Sequence, residues 1–404
     1  MPRRRRSGDG GIGLALAGGG PAGAIYEIGA LWALDEALEG VDLNDLACYV
    51  GVSAGSLLAS CLANGLSPSL LVGVISGDAP DEEPFDPDTF FVPNYREFAR
   101  RGVMLPRLLM QTLWQLTRRH RTGNVTASLS RAARALPVAL FDNEPIRRYL
   151  AKVFSRPGRT DDFRELRSQL VVVAADLASG RPIRFGAPGN TGVPISRAVQ
   201  ASTALPGIYP PVLIEGRHCV DGVLLKTLHA SVALDFGVEL LLCVNPIVPV
   251  DTRPGEESGA LPVGVLLDEG IPGVLSQTFR TLVHSRLEVG LARYAERYPD
   301  ADVLLFEPGR DEYDMFFSNV FSFSSRRAIA ELAYAATRRD LLRRADELEP
   351  VLARHGIRIR REVLARDEHD IWGTATDHRV VTSEATAGAS RKGDRGADAP
   401  RGAR

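Results

Sequence analysis

Ser53 stands in the pentad Gly51-Val52-Ser53-Ala54-Gly55, after the apolar run Cys48–Val52 and before a helical pattern, Ser56–Ala63. G-x-S-x-G between a strand and a helix is the setting of a nucleophile elbow, where a sharp turn presents a serine hydroxyl for attack on an acyl carbonyl. Such a turn needs small residues two before and two after the serine, and Gly51 and Gly55 supply them. The helix behind Ser53 would point its positive end at the reacting centre. An incidental serine in a small-residue turn gives the same five letters; the apolar strand ahead of it separates the two readings.

Three further motifs have residue types suited to the same chemistry. Gly18-Gly19-Gly20-Pro21-Ala22-Gly23 lies between an apolar run and a helical pattern. Consecutive glycines let backbone N–H groups converge on an anion, either a phosphate or a developing oxyanion. The same letters fit the G-x-G-x-x-G dinucleotide fingerprint, so a flavin- or NAD-binding oxidoreductase is the rival reading. That reading wants a second strand ending in an acid about 20 residues on. Asp42 and Asp45 lie near that distance, but Glu39–Asp45 makes a poor strand, and the next apolar run is the strand carrying the elbow. Val220-Asp221-Gly222 puts an aspartate where an apolar run meets a glycine, at a strand end or in an ordinary Asp-Gly turn. Ala201-Ser202-Thr203-Ala204-Leu205-Pro206-Gly207-Ile208-Tyr209-Pro210-Pro211 reads as a helix end followed by a proline-stiffened turn.

Taken together, in this order and spacing, the four motifs resemble the patatin-like phospholipases, over residues 12 to about 245. That pattern is a glycine-rich oxyanion loop, G-x-S-x-G, A-S-x-A-x-P-x-x-F-P-P, and D-G-A or D-G-G. The resemblance implies a three-layer α/β fold with a mostly parallel central sheet. It implies Ser53 as nucleophile and Asp221 as its proton acceptor, without a histidine, and Gly18, Gly19 and Gly20 as the oxyanion hole. Gly23, Gly51, Gly55 and Gly222 support the motifs. The implied activity is hydrolysis of lipid acyl esters (phospholipase A, lysophospholipase or lipid acyl hydrolase) with no cofactor and no metal. The chain departs from the pattern at Ala22, where Arg or Lys is usual, at Val223, where Ala or Gly is usual, and mildly at Tyr209 for Phe. These departures also motivate a third reading, a lipid-binding regulator with a degenerate site. Activation by histidine is the alternative to the dyad. His229 and His284 follow Asp221 in Ser–Asp–His order. His229 is expected in the helix after Asp221, and His284, off the apolar stripe of its helix, is expected in solvent.

Elements that would position these groups are legible as continuous apolar runs: Ile12–Ala17, Cys48–Val52, Leu170–Ala175, Glu239–Val244 and Val303–Phe306. Continuous rather than alternating runs suit a parallel sheet covered on both faces. Helical patterns lie between them. Phe279, Leu282, Val283, Leu287 and Leu291 share one face; so do Ile329, Leu332, Ala333 and Ala336, in a helix that Ser324 would cap and Pro350 would end. Strands interleaved with helices give an α/β architecture. Residues 77–95, rich in Asp, Glu and Pro, and residues 251–260 read as surface loops.

Residues 1–10 read as a basic flexible N-terminus, 11–365 as the catalytic domain with a helical insertion at about 96–140, and 366–404 as a polar disordered tail. Within 96–121, Val103, Leu108 and Trp114 are interleaved with Arg100, Arg107 and Arg118. That pattern fits an interfacial helix on anionic lipid, or a cover helix with solvated arginines. Arg3–Arg6 would add attraction to such a surface.

At 404 residues, 45% hydrophobic and 24% charged, the composition is globular. A net charge of -2 argues for no nucleic-acid partner. Cys48, Cys61, Cys219 and Cys243 lack metal-ligand spacing and read as reduced core thiols. The apolar stretch Ile12–Leu34 is broken by the triple glycine and by Tyr26-Glu27, so a strand, loop and helix account for it better than a signal peptide. No uncharged run reaches membrane-spanning length. A cytoplasmic enzyme, in peripheral contact with membrane at most, is the expectation.

Overall fold

A computed structural model describes residues 11–83, 85, 90–95, 97–100, 110, 137–317, 323–366 and 371–372. The basic cluster Arg3–Arg6 and nearly all of the amphipathic stretch 96–121 therefore lie outside the described residues. The main sheet has the order β6-β7-β4-β3-β1-β8-β9, with β5 on β4. Its strands are β1 (Ile12–Leu16), β3 (Cys48–Val52), β4 (Gln169–Asp176), β5 (Pro182–Phe185), β6 (Val212–Ile214), β7 (Arg217–Asp221), β8 (Leu240–Val244) and β9 (Asp302–Phe306). The pairs β4–β3, β3–β1, β1–β8 and β8–β9 are parallel, whereas β5 and β7 run antiparallel to β4, and β6 to β7. The five continuous apolar runs are the five parallel strands. The short strands β5, β6 and β7 carry exposed residues and too few apolar ones to announce themselves. A separate two-stranded sheet pairs β2 (Leu38–Glu39) with β10 (Arg358–Ile359).

Helices cover both faces, because every central strand is apolar on both. Leu14, Leu16 and Tyr49 point into one core with α1 (Gly20–Ala37), α2 (Ala54–Ala63) and α3 (Pro68–Ser76). Ala15, Ala17, Val50 and Val173 point into the other with α6 (Ala230–Asp235) and Leu287 and Tyr294 of α8 (Gly270–Arg297). In chain order the remaining principal helices are α4 (Glu144–Phe154), α5 (Ile195–Ser202), α7 (Arg253–Ser258), α9 (Phe323–Arg343) and α10 (Ala345–Arg354). Helix α1 packs against α9, α2 and α3. Enclosure on most sides explains why, apart from Glu27 and the Asp35-Glu36 pair near its end, it is apolar around its circumference. The chain leaves β1 toward β3 on one side, and β8 returns to the other side of β1. Open α/β sheets bind ligands outside the carboxyl ends of the strands at such a switch point.

Some local expectations differ from what is observed. Helix α9 begins at Phe323, one residue before Ser324, and gives way to α10 at Arg344; Pro350 sits inside α10 instead of ending α9. Residues 251–260 contain α7. In the expected insertion, residues 97–100 are helical, but Ala139 forms a bridge to Gly207. In the stretch read as a tail, Ile371 is buried and Arg327 stacks on the Trp372 ring. All four cysteines are buried and free. Among the described residues no helix is long and apolar enough to cross a membrane.

Candidate active site

Strand β4 sets the register of the site. Val52, the last residue of β3, is level with Val173, and Asp221, the last of β7, is level with Ala174, one residue further along. Ser53 and Asp221 are 168 residues apart in sequence but emerge side by side. The Ser53 Oγ–H donates to Asp221 Oδ2 at 2.6 Å. Ser53 is at φ 52°, ψ -127°, a region that non-glycine residues avoid, directly before α2. The backbone strain is held by close packing. A Cβ on Gly51 would sit 2.4 Å from Ser56 Cα, and one on Gly55 would sit 2.4 Å from the Ala17 carbonyl oxygen that Gly55 N–H bonds. Gly222 leaves room for Val52 and the Val173 carbonyl in the same way.

Two groups of the Ala-Ser-x-Ala motif, given no individual role by the sequence, hold this geometry. Ser202 Oγ accepts the Ser53 N–H at 2.9 Å and donates to the Val173 carbonyl at 2.6 Å. Two residues on, the Ala204 carbonyl accepts the Asp221 N–H at 3.0 Å. The Ala201–Leu205 turn thus tethers both members of the pair through the backbone. Its signal in the sequence was the Ala-Ser-x-Ala motif itself, which local physics reads only as a rigid turn.

The glycine loop runs alongside. Gly18 approaches so closely that an added Cβ would lie 3.1 Å from Ser53 Cβ and 3.0 Å from Val223 Cγ2. Gly19 is covered by Pro246, whose Cγ would be 2.7 Å from such a Cβ; Gly23 lies under the same ring. Among the described residues, the N–H groups of Gly18 and Gly19 donate to no other protein group. Gly20, at φ 61°, opens α1, with Pro21 in the first turn where its missing N–H costs nothing. The dinucleotide reading finds no support here. The strand after α1, β2, has two residues and pairs with β10 in the separate sheet.

Asp221 is 1% exposed. Burial raises its carboxyl pKa to about 7, against the lowering effect of hydrogen bonds from Ser53 and from the Val223 N–H at 2.9 Å. Val223 fits without crowding the turn: its side chain joins Val52, Ile247 and Val283 in a small apolar cluster. The two histidines make their hydrogen bonds elsewhere. His229 is the cap residue before α6, and its Nε2–H reaches the Gly222 carbonyl at 3.3 Å. Burial pulls its pKa down to about 4, leaving it neutral. His284, expected in solvent, is instead buried, with Nε2 3.0 Å from Arg310 and 3.3 Å from Glu288. Packing of α8 across the sheet covers the face that periodicity alone leaves outside.

Ser53 and Asp221 open into a cavity of about 360 Å³. Its wall is mainly aliphatic and aromatic, including Ile25, Ile28, Leu57, Leu71, Phe85 and Phe90. The acidic loop at 77–95, expected merely at the surface, contributes Phe85 and Phe90, which pack on each other with centroids 5.2 Å apart. Glu82 and Glu83 of that loop are anchored to Arg159 and Lys152 at 2.5 and 2.7 Å. Phe279 and Arg280 of α8 close another side.

A family model described as patatin-like phospholipase matches residues 14–234. Similar solved structures are VipD from Legionella pneumophila (15% identity, TM-score 0.36, 81% of this chain and 66% of that chain) and the type III effector protein ExoU (17%, 0.32, 80% and 51%). Another is full-length SpcU in complex with full-length ExoU from the type III secretion system of Pseudomonas aeruginosa (17%, 0.27, 70% and 53%). The chain thus spans between about half and just under two thirds of these proteins.

Proposed function

The chain belongs to the patatin-like phospholipase family, and from that premise we propose that it hydrolyses lipid acyl esters through a Ser53–Asp221 dyad. One observation carries the reading: a strained, buried Ser53 hydroxyl donates to a buried carboxylate at 2.6 Å, at the wall of an apolar cavity. In the acylation step Ser53 Oγ attacks the ester carbonyl while its proton passes to Asp221 Oδ2. The N–H groups of Gly18 and Gly19 stabilise the tetrahedral oxyanion, each donor being worth about 3 kcal/mol in typical enzymes. Collapse breaks the ester C–O bond, and the leaving alkoxide takes the proton from Asp221. Water then attacks the acyl-serine, Asp221 accepts its proton, the fatty acid leaves, and Ser53 is reprotonated. A carboxylate lifted to about 7 is a better base than an ordinary one, since base strength is matched to the working pH.

The apolar wall supports a long acyl chain as the bound portion. A fluorophosphonate probe should form a covalent adduct on Ser53. Ser53→Ala should abolish both labelling and p-nitrophenyl ester hydrolysis while keeping the wild-type circular dichroism spectrum. Turnover by a folded Ser53→Ala variant overturns the mechanism. Absent labelling with retained lipid binding favours the regulator reading.

A further inference from the structure

We infer that Arg280 forms an anion subsite in this cavity, selecting acyl esters that carry a phosphate or carboxylate near the scissile bond; the inference rests on the hydrolase reading above. Phe279 and Arg280 line the cavity that Ser53 and Asp221 share. One turn on, Val283 packs with Val52, Val223 and Ile247. That contact fixes this stretch of α8 against the strand before Ser53 and the turn after Asp221. The Arg280 guanidinium stacks on Phe316 at 4.7 Å from the ring centroid. Among the described residues its hydrogen bonds go to neutral acceptors at the limit of range, Ser276 Oγ at 3.4 Å and the Val248 carbonyl at 3.5 Å.

Of the other charged residues of the cavity wall, Glu82 and Glu83 have close cationic partners, and Asp221 takes its hydrogen bonds from Ser53 and the Val223 N–H. Arg280 forms no ion pair among the described residues. Burial alone moves its pKa, downward, with no neighbouring charge contributing. An arginine stays protonated in proteins, so this is a partly buried cation whose forked donors are largely unspent. Burying a charge is costly unless a counter-charge meets it, and a guanidinium fork matches phosphate or carboxylate oxygens. The position suits a substrate group close to the reacting ester. Val248 follows by two residues the Pro246 ring that covers Gly19 and Gly23. The loop Gly18–Gly23 itself contains no cation, Ala22 included.

The test uses binding to full-length Ser53→Ala protein, so it stands whether or not the wild type hydrolyses esters. Calorimetric titration compares decyl phosphate, decanoate, 1-decanol and inorganic phosphate. A charge-assisted contact should make at least one anionic amphiphile bind about tenfold to a hundredfold more tightly than decanol. Which of the two binds more tightly identifies phosphate or carboxylate as the preferred group. Adding Arg280→Gln should erase the preference, and Arg280→Lys should restore part of it, both with wild-type circular dichroism. Equal affinity for decanol and both anions overturns the inference without needing any Arg280 variant. So does a preference that survives Arg280→Gln, or inorganic phosphate binding as tightly as decyl phosphate, which would mark a site for free phosphate.

Discussion

The proposed mechanism needs Asp221 ionised, which costs stability, and the two effects have opposite signs with pH. Its folded pKa of about 7 lies above the ordinary value of 3.8, so the folded state holds the proton more tightly. The stability from that proton is full below about pH 4 and is lost as pH rises through about 7. Asparagine cannot ionise. Asp221→Asn should therefore melt higher than wild type at alkaline pH, with the gap closing toward about pH 4; thermal melts across that range check it. The same variant should lose about 10²–10⁴-fold in kcat/KM, as for removal of a general base. In the wild type, kcat/KM should rise with pH through about 7 and then level, because only the carboxylate accepts the Ser53 proton. Ser202 acts through geometry. Ser202→Ala leaves the Ser53 N–H and the Val173 carbonyl without their bridge, an unmade buried bond costing about 1–3 kcal/mol. Steady-state kinetics should show kcat falling with KM little changed, together with a lower melting temperature.

Among the elements, the elbow depends on α2 lying against the end of β1. The Gly55 N–H bonds the Ala17 carbonyl at 2.9 Å, and a methyl there would sit 2.4 Å from that same oxygen. Gly55→Ala must push α2 away from β1 and tilt Ser53 off Asp221. Overpacking of this kind typically costs about 1–3 kcal/mol. The expected outcome is a lower denaturation midpoint and a loss of fluorophosphonate labelling larger than the loss of fold. A midpoint and labelling rate equal to wild type would mean that this contact does not set the elbow. The Ala201–Leu205 turn is the second such device, since it bonds both Ser53 and Asp221 through the backbone.

At the scale of the molecule, the cavity collects walls from widely separated stretches: α1, α2, α3, the 77–95 loop, α4, the turn after α5, and α8. Its apolar wall should make affinity depend on acyl length. Burying one methylene is worth about 0.8 kcal/mol, or about fourfold in affinity. For p-nitrophenyl esters, KM should fall by about that factor per methylene until the cavity is filled, then flatten. Ala24 lines the wall on α1. Ala24→Phe should therefore raise KM for long-chain esters more than for acetate or butyrate esters. A chain-length profile unchanged by Ala24→Phe would put the acyl group elsewhere.

Five parallel strands were legible because they are covered on both faces, fully for the inner four and partly for the edge strand β9, and so are apolar nearly throughout. Ser53 stood out as a candidate because an elbow's sterics require glycine on both flanks, and Asp221 because it precedes a glycine after an apolar pair. Asp-Gly alone is an ordinary turn, so the role proposed for it rests on motif order matched to a family. The antiparallel strands β5–β7 were not legible, being short and half exposed. Nor was the burial of His284, because helical periodicity does not reveal which neighbours cover a face. The sequence by itself determined the α/β class, the elbow and the glycine loop, since local backbone sterics and two-sided burial dictate residue type directly. Only the tertiary structure decided that β7 and β3 flank β4 with their last residues nearly level, that Ser202 and Ala204 tether the pair, and that Phe85, Phe90 and Arg280 face the same cavity. Those are juxtapositions of distant segments, fixed by the register on β4 and the packing of α8, and no local pattern encodes them.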